Sequence, residues 1–246
     1  MKTSIKILFA TLVWALGISH AQIASDNAGN YAAWTNGSNE GFGFGDWVLN
    51  SDAGGHFLGN ADEQGPNNTP LDTSGQSFGI FADNFSVAVR PFNTDLQVGD
   101  VLNFSIAYQF DNGNKGFNLQ TDNGTNVFNF NVNDAGYTWA GGGSSSTTPW
   151  DNVRENGVLI DFSFSRTATG IDYTFFSDQD ATLSQSGNFT TADPVGQLEF
   201  YVSGAGGGPG GNLYFNNLQV IPEPATLLLL LGGLGVIAAY RRKLRA

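Results

Sequence analysis

Apolar side chains recur at every second position along several stretches of this chain, and that period admits few folds. In VLNFSIAYQF, Leu102, Phe104, Ile106, Tyr108 and Phe110 alternate with Asn103, Ser105, Ala107 and Gln109. Phe128, Phe130 and Val132 in NVFNFNV, Ile160, Phe162 and Phe164 in VLIDFSFSR, and Leu198, Phe200 and Val202 in QLEFYV repeat the pattern. FSVAVRPF, IDYTFF and NLYFNNLQV are weaker versions. Successive residues of a strand point to opposite faces, so each run has one apolar and one polar face. Such strands pair antiparallel and bury their apolar faces against one another. Turn chemistry separates the runs at Asp111-Asn-Gly-Asn114, Asp122-Asn-Gly124, Asn133-Asp-Ala-Gly136 and Asn156-Gly157. Asn and Asp tolerate the left-handed region and Gly enters it freely, so hairpins follow. The expectation is an all-β, antiparallel β-sandwich.

Composition supports this and narrows the chemistry. Twenty Phe among 246 residues can build a core, and sandwiches commonly reach about 200–250 residues as one unit. The absence of Cys excludes disulfides, thiol catalysis, Cys-ligated zinc and iron–sulfur clusters. Of the two His, His20 lies in a leader, so a Ser-His-Asp site would have to use His56, and a multi-histidine metal site is excluded.

The two ends read differently from the middle. Residues 1–21 carry Lys2 and Lys6, an apolar run from Ile7 to Ile18, and Ser19-His20-Ala21 before Gln22. That is the pattern of a signal peptide removed by signal peptidase. At the other end, Pro222-Glu223-Pro224 precedes an apolar run from Ala225 to Tyr240. Its 16 residues would span roughly 24 Å as a helix, slightly short of a bilayer core of about 30 Å. Snorkelling Arg241, Arg242, Lys243 and Arg245 cover the deficit and hold that end in the cytoplasm. The expected organisation is a signal peptide over 1–21, an exported sandwich over 22–220, and a segment over 221–246 containing a transmembrane helix at 225–240.

Taken together, these end features resemble the PEP-CTERM sorting signal of Gram-negative bacteria. The resemblance implies a substrate of an exosortase, a membrane transpeptidase-like enzyme. Pro222, Glu223 and Pro224 would be its recognition element and Arg241, Arg242, Lys243 and Arg245 the retention charges. It also implies an inner-membrane intermediate, and then a surface or extracellular-matrix protein of an exopolysaccharide-producing cell. The stretch from Val98 to Trp139 is similar in strand rhythm to concanavalin-A-like sandwich domains, which implies a jelly-roll or lectin-like arrangement.

Charge and motif set the remaining expectations. Residues 22–220 carry four basic side chains (Arg90, Lys115, Arg154 and Arg166) against 21 acidic ones, a net charge of −17. That excludes nucleic acid and anionic lipid as partners of the body, since phosphate neutralisation needs Lys and Arg. Laminarinase-type sandwich enzymes place carboxylates in an E-x-D-x-x-E strand, which is absent; the Glu of the body are Glu40, Glu63, Glu155 and Glu199. Glu199 reads as a solvated strand residue between Leu198 and Phe200. Oxygen ligands for a structural Ca²⁺ occur in DNGNKG (111–116), TDNGTN (121–126) and DQD (178–180), though Asn-Gly turns need no metal. The Gly-rich run 204–211 lacks the Lys and the following helix of a phosphate loop.

Sugars present C–H patches and hydroxyls, so glycan contact calls for an exposed aromatic face beside amides and carboxylates. Trp139 and Trp150 bracket AGGGSSSTTP, with Asp151 and Asn152 following. One reading makes these four a sugar-contacting rim; the other, our default, makes both Trp core residues at strand ends joined by a Gly/Ser connector. Trp34 and Trp47 carry the same two readings. The resulting expectation is a non-enzymatic, exosortase-sorted envelope or matrix protein without a required cofactor, structural or adhesive in role, with weak glycan contact. The alternative is an extracellular polysaccharide-acting hydrolase on a concanavalin-A-like fold.

Overall fold

The structure is a computed structural model that describes residues 22–61, 70–148, 157–177, 184–206 and 208–222. The expected signal peptide 1–21, the membrane helix 225–240, Arg241, Arg242, Lys243 and Arg245 lie outside the described residues. So do Glu223, Pro224, Trp150, Asp151, Asn152 and DQD 178–180. Among the described residues no helix is long and apolar enough to cross a membrane. The body, Gln22–Ile221, is one compact unit.

The body is all-β and antiparallel. Its described strands are β1 (Ala24–Asp26), β2 (Val48–Gly59), β3 (Ser77–Pro91), β4 (Asp100–Tyr108), β5 (Asn114–Gln120), β6 (Asn126–Asn133) and β7 (Gly136–Gly141). They continue as β8 (Ser144–Thr148), β9 (Val158–Arg166), β10 (Gly170–Phe176), β11 (Gln185–Thr190), β12 (Gln197–Ser203) and β13 (Leu213–Pro222). Hydrogen bonding runs in the order β11-β10-β9-β4-β13-β3-β12-β5-β6-β7-β8, with β1 added to β13 and β2 to β3.

That continuous sheet doubles back on itself. β3 pairs with β13 through Phe78–Ile80 and with β12 through Phe85–Pro91, so one strand serves both layers. Its partner β2 shifts register between Asp52 and Gly54, where Ala53 adopts φ +49°. Such a bulge bends a strand and increases its twist, as a strand crossing between layers requires. Strands far apart in the hydrogen-bonding order then face one another. Phe117 of β5 meets Phe162 of β9 at 4.7 Å between ring centres, Phe130 of β6 meets Phe162 at 4.9 Å, and Trp139 of β7 meets Phe175 of β10 at 5.1 Å. The edge-to-face angles of these three pairs are the favoured aromatic geometry.

The period-2 sets lie in this core. Leu102, Phe104, Ile106 and Tyr108, the Phe128–Val132 set, the Ile160–Phe164 set and the Leu198–Val202 set are all buried. Phe110 departs from its set. β4 ends at Tyr108, and the Phe110 ring lies 42 % exposed against the bare backbone of Gly210. The Gly/Ser run after Trp139 is not a loop throughout. Gly142 and Gly143, at φ +58° and +80°, turn the chain into β8, which pairs back on β7.

One cluster of buried polar residues joins β3 to β1. Arg90 of β3 and Asp26 of β1 form an ion pair at 2.8 Å, both side chains 0 % exposed. Asp26 also accepts from the Tyr31 hydroxyl at 3.0 Å and Trp47 Nε1 at 3.1 Å. Arg90 donates to Asn39 Oδ1 at 2.7 Å and to the Gly45 carbonyl, and its guanidinium lies over the Phe44 and Trp47 rings. Burial drives the Asp26 pKa up, and the Arg90 charge opposes that rise.

Candidate functional site

The outer face of β13, β4, β9 and β10 carries a shallow groove of about 320 Å³. Register builds it in rows. Ser105, Asp161 and Phe176 stand side by side on β4, β9 and β10, and Asn103, Ser163 and Thr174 form the next row. Asn217 and Gln219 of β13 complete the lining. Alternation explains why these side chains face out: they are the polar partners of the buried Leu102, Phe104, Phe162, Phe164 and Phe175. Phe176 faces out in turn after buried Phe175 at the end of β10, an apolar side chain on this polar face, and is 47 % exposed. The Ser105 hydroxyl donates to Asp161 Oδ1 at 2.5 Å, which orients that carboxylate.

Asn217 adopts φ +60° inside β13, the left-handed region that Asn tolerates better than most residues with a Cβ. Neighbouring contacts hold it there. Buried Asn216 donates to the Leu71 and Gln76 carbonyls and to Thr73 Oγ1, and it accepts the Ala28 N–H. The Thr73 hydroxyl donates in turn to Asn217 Oδ1 at 3.2 Å.

Other side chains singled out by sequence fall elsewhere. Trp139 is 7 % exposed on the inner face of β7, and its Nε1 donates to the Tyr173 hydroxyl at 3.2 Å. It packs edge-to-face with Phe175 within the hydrophobic core, as the core reading of this Trp expects. Trp34 and Trp47 are likewise buried, packed on one another and on Phe78. His56 lies on β2 with Nε2 at 2.8 Å from the Val87 carbonyl and 3.2 Å from Ser86 Oγ. A carbonyl can only accept, so Nε2 carries a proton and cannot serve as the base for Ser86. Burial also lowers the His56 pKa, keeping the ring neutral. This pair is therefore not a nucleophile and its base.

Glu199 is held rather than free in solvent. It accepts from Asn118 Nδ2 at 2.7 Å and Gln120 Nε2 at 3.2 Å, while Asn129 donates to Asn118 and to the Tyr201 hydroxyl. These amides tie the outer faces of β12, β5 and β6 together. The recurrence of Asn and Gln at alternate positions in NKGFNLQ and NVFNFNVN is the sequence signal for this ladder.

Two carboxylates that sequence left apart come together at Gly196. A methyl group there would overlap Asp122 Oδ1 and lie 2.8 Å from Asp95 Oδ1. Burial, and then the Asp122 charge, raise the Asp95 pKa. Asp122 belongs to TDNGTN, so these are the oxygens that loop can offer a cation. Among the described residues no group of three or more His, Asp or Glu side chains converges on one point.

At its end β13 carries Val220, Ile221 and Pro222 in strand conformation. Residues 220–245 match the PEP-CTERM protein-sorting motif. The chain carries that motif. It implies recognition by exosortase-type sorting machinery and an exported chain anchored through its C-terminal segment before sorting. No curated protein matches the sequence. Among solved structures, a sialidase aligns over 83 % of this chain and 19 % of its own, at 12 % identity and TM-score 0.49. The receptor-binding domain of botulinum neurotoxin C/D mosaic serotype aligns over 82 % of this chain and 48 % of its own, at 10 % identity and TM-score 0.49. A carbohydrate esterase from Shiga toxin-encoding bacteriophage phi24B aligns over 81 % of this chain and 99 % of its own, at 10 % identity and TM-score 0.43. The chain thus spans under half the length of the first two.

Proposed function

We propose that this exosortase-sorted chain is a non-catalytic protein of the envelope or extracellular matrix whose sandwich contacts neutral glycan weakly through the groove on β13, β4, β9 and β10. The observation that carries this reading is the exposed Phe176 ring beside the Asp161 carboxylate, the Ser105, Ser163 and Thr174 hydroxyls, and the Asn103, Asn217 and Gln219 amides. An apolar face with a few convergent polar groups suits a pyranose, which is apolar on its C–H faces and polar at its rim. The body's charge of −17 favours neutral over anionic polymers. Affinity electrophoresis of the body through gels containing neutral exopolysaccharide tests the assignment. Retardation is expected for the wild type and is expected to be lost in Phe176→Ala; equal retardation of the two overturns it.

A hydrolase would need paired carboxyls about 5–10 Å apart. In the groove Asp161 stands opposite Phe176, and the other outward acid of β10, Asp172, is four residues further along, roughly 13 Å at the rise of a strand. Asp95 and Asp122 converge at Gly196, so the hydrolase alternative is tested there. Reducing-end release from the same polysaccharide is expected to be nil. Release that disappears in Asp95→Asn would replace the non-catalytic reading.

A further inference from the structure

The two ends of the body meet on adjacent strands. β1 lies antiparallel to the last part of β13, with Ala24 opposite Val220, Ser25 opposite Gln219 and Asp26 opposite Leu218. The Ile23 N–H donates to the Val220 carbonyl at 2.9 Å. The sorting motif begins at Val220, so its first residues are strand residues, and β13 runs without a linker to Pro222.

β13 changes partners along its length. β3 pairs with Leu213–Phe215 and β1 with Leu218–Val220, and the left-handed residue Asn217 lies between the two pairings. β1 is three residues long and could not hold itself in place through backbone bonds alone. Its anchor is Asp26, fully buried against Arg90, Tyr31 and Trp47. On its other side Ser25 exchanges both backbone hydrogen bonds with Phe42. Besides burying Ala24 and Asp26, β1 orders the exit of the chain from the sheet.

We propose that β1 is a positioning element for sorting: by pairing with Leu218–Val220, on a strand that also lies beside β4, it holds the entry to the motif extended where the chain leaves the sheet, and the sorting machinery takes the motif from that exit rather than from a free tail. The proposal rests on the sorting reading of the motif. A peptide already extended pays less ordering entropy on entering a binding cleft than a free segment does. The Pro222 ring restricts φ and continues that extended path. Ile23 acts through Val220 and is a positioning residue, not a catalytic one.

The test uses the full-length chain in a cell that carries the sorting enzyme, with the fraction of chains that lose the segment beyond the motif followed by intact mass. Ile23→Pro deletes the N–H donor while leaving Asp26 and Arg90 untouched. The expected result is unchanged melting of the body and removal of the tail slowed about 5-fold, the factor that matches one hydrogen bond of ordinary strength. Wild-type processing of folded Ile23→Pro overturns the proposal. A short Gly-Ser insertion between Ile221 and Pro222 is the second arm and decides the matter where Ile23→Pro fails to fold. It detaches Pro222-Glu223-Pro224 from the strand residues Val220 and Ile221, so slowed processing is expected and wild-type processing overturns the proposal. Pro222→Ala with Pro224→Ala separates the two readings, because normal processing of that variant refutes sorting through the motif itself.

Discussion

Lys115 is the single basic side chain of β5 and points into the sandwich with no exposed surface. Its Nζ donates to the Phe110 carbonyl at 2.6 Å and to Asn112 Oδ1 at 3.3 Å, while Asp111 and Asp134 supply opposing charge. Burial outweighs these and lowers its pKa from 10.5 to about 8. Between those values the unfolded chain binds the extra proton, so this group adds stability as pH rises from about 8 towards 10.5. From pH 7 to 10 the wild type is expected to gain roughly 2 kcal/mol relative to Lys115→Met in urea titrations, and a parallel pH dependence of the two would refute the assignment. Tyr31, Tyr201 and Tyr214, whose pKa values burial raises, act in the opposite direction at higher pH but equally in both proteins. Part of this is local: alternation around Phe117 and Leu119 puts Lys115 on the inward face, and its acceptors stand at Phe110 and Asn112 beside the adjoining turn. What local sequence does not record is the packing that leaves its ammonium group without exposed surface. Trp139 shows the same division. Its place opposite Phe130 on the inner face follows from period, whereas its partners Phe175 and Tyr173 come from a strand thirty residues on.

The elements follow the alternation closely where both neighbours are strands and depart from it at ends and crossings. β4, β6, β9 and β12 bury the sets expected of them, because a one-residue slip would turn every Phe out to water. Phe110 is exposed because it stands past the end of β4, whereas Phe176 is exposed because the pleat turns it outward with Asp172 and Thr174, an apolar side chain at a polar position. The hairpin of β7 and β8 replaces an expected connector, since Gly142 and Gly143 make a tight turn and the Ser/Thr run after them has enough β propensity to pair. If Trp139 is a core residue of that hairpin, Trp139→Ala should cost about 3–5 kcal/mol in urea unfolding and leave glycan retardation of the folded protein unchanged. Loss of retardation at full stability would return Trp139 to a binding role.

At the scale of the whole molecule, the expected product is a chain that starts at Gln22 and ends near Pro222-Glu223-Pro224. Intact mass of the protein from the cell surface or medium reads this directly, and a surface species retaining residues 225–246 would refute removal of the tail. What sequence alone determined is what local spacing can encode. A period of two specifies antiparallel β structure with a Phe-rich core, and a contiguous motif at residues 220–245 specifies sorting. Neither depends on which strand lies beside which. The groove, by contrast, collects Asn103, Asp161, Phe176 and Asn217 from four strands spread over more than a hundred residues of the chain. The union of Asp95 with Asp122, and of β1 with the start of the sorting motif, is equally non-local. Tertiary structure alone decided these, because strand order and register are chosen by the packing of the entire sheet, and no short stretch of sequence records that choice.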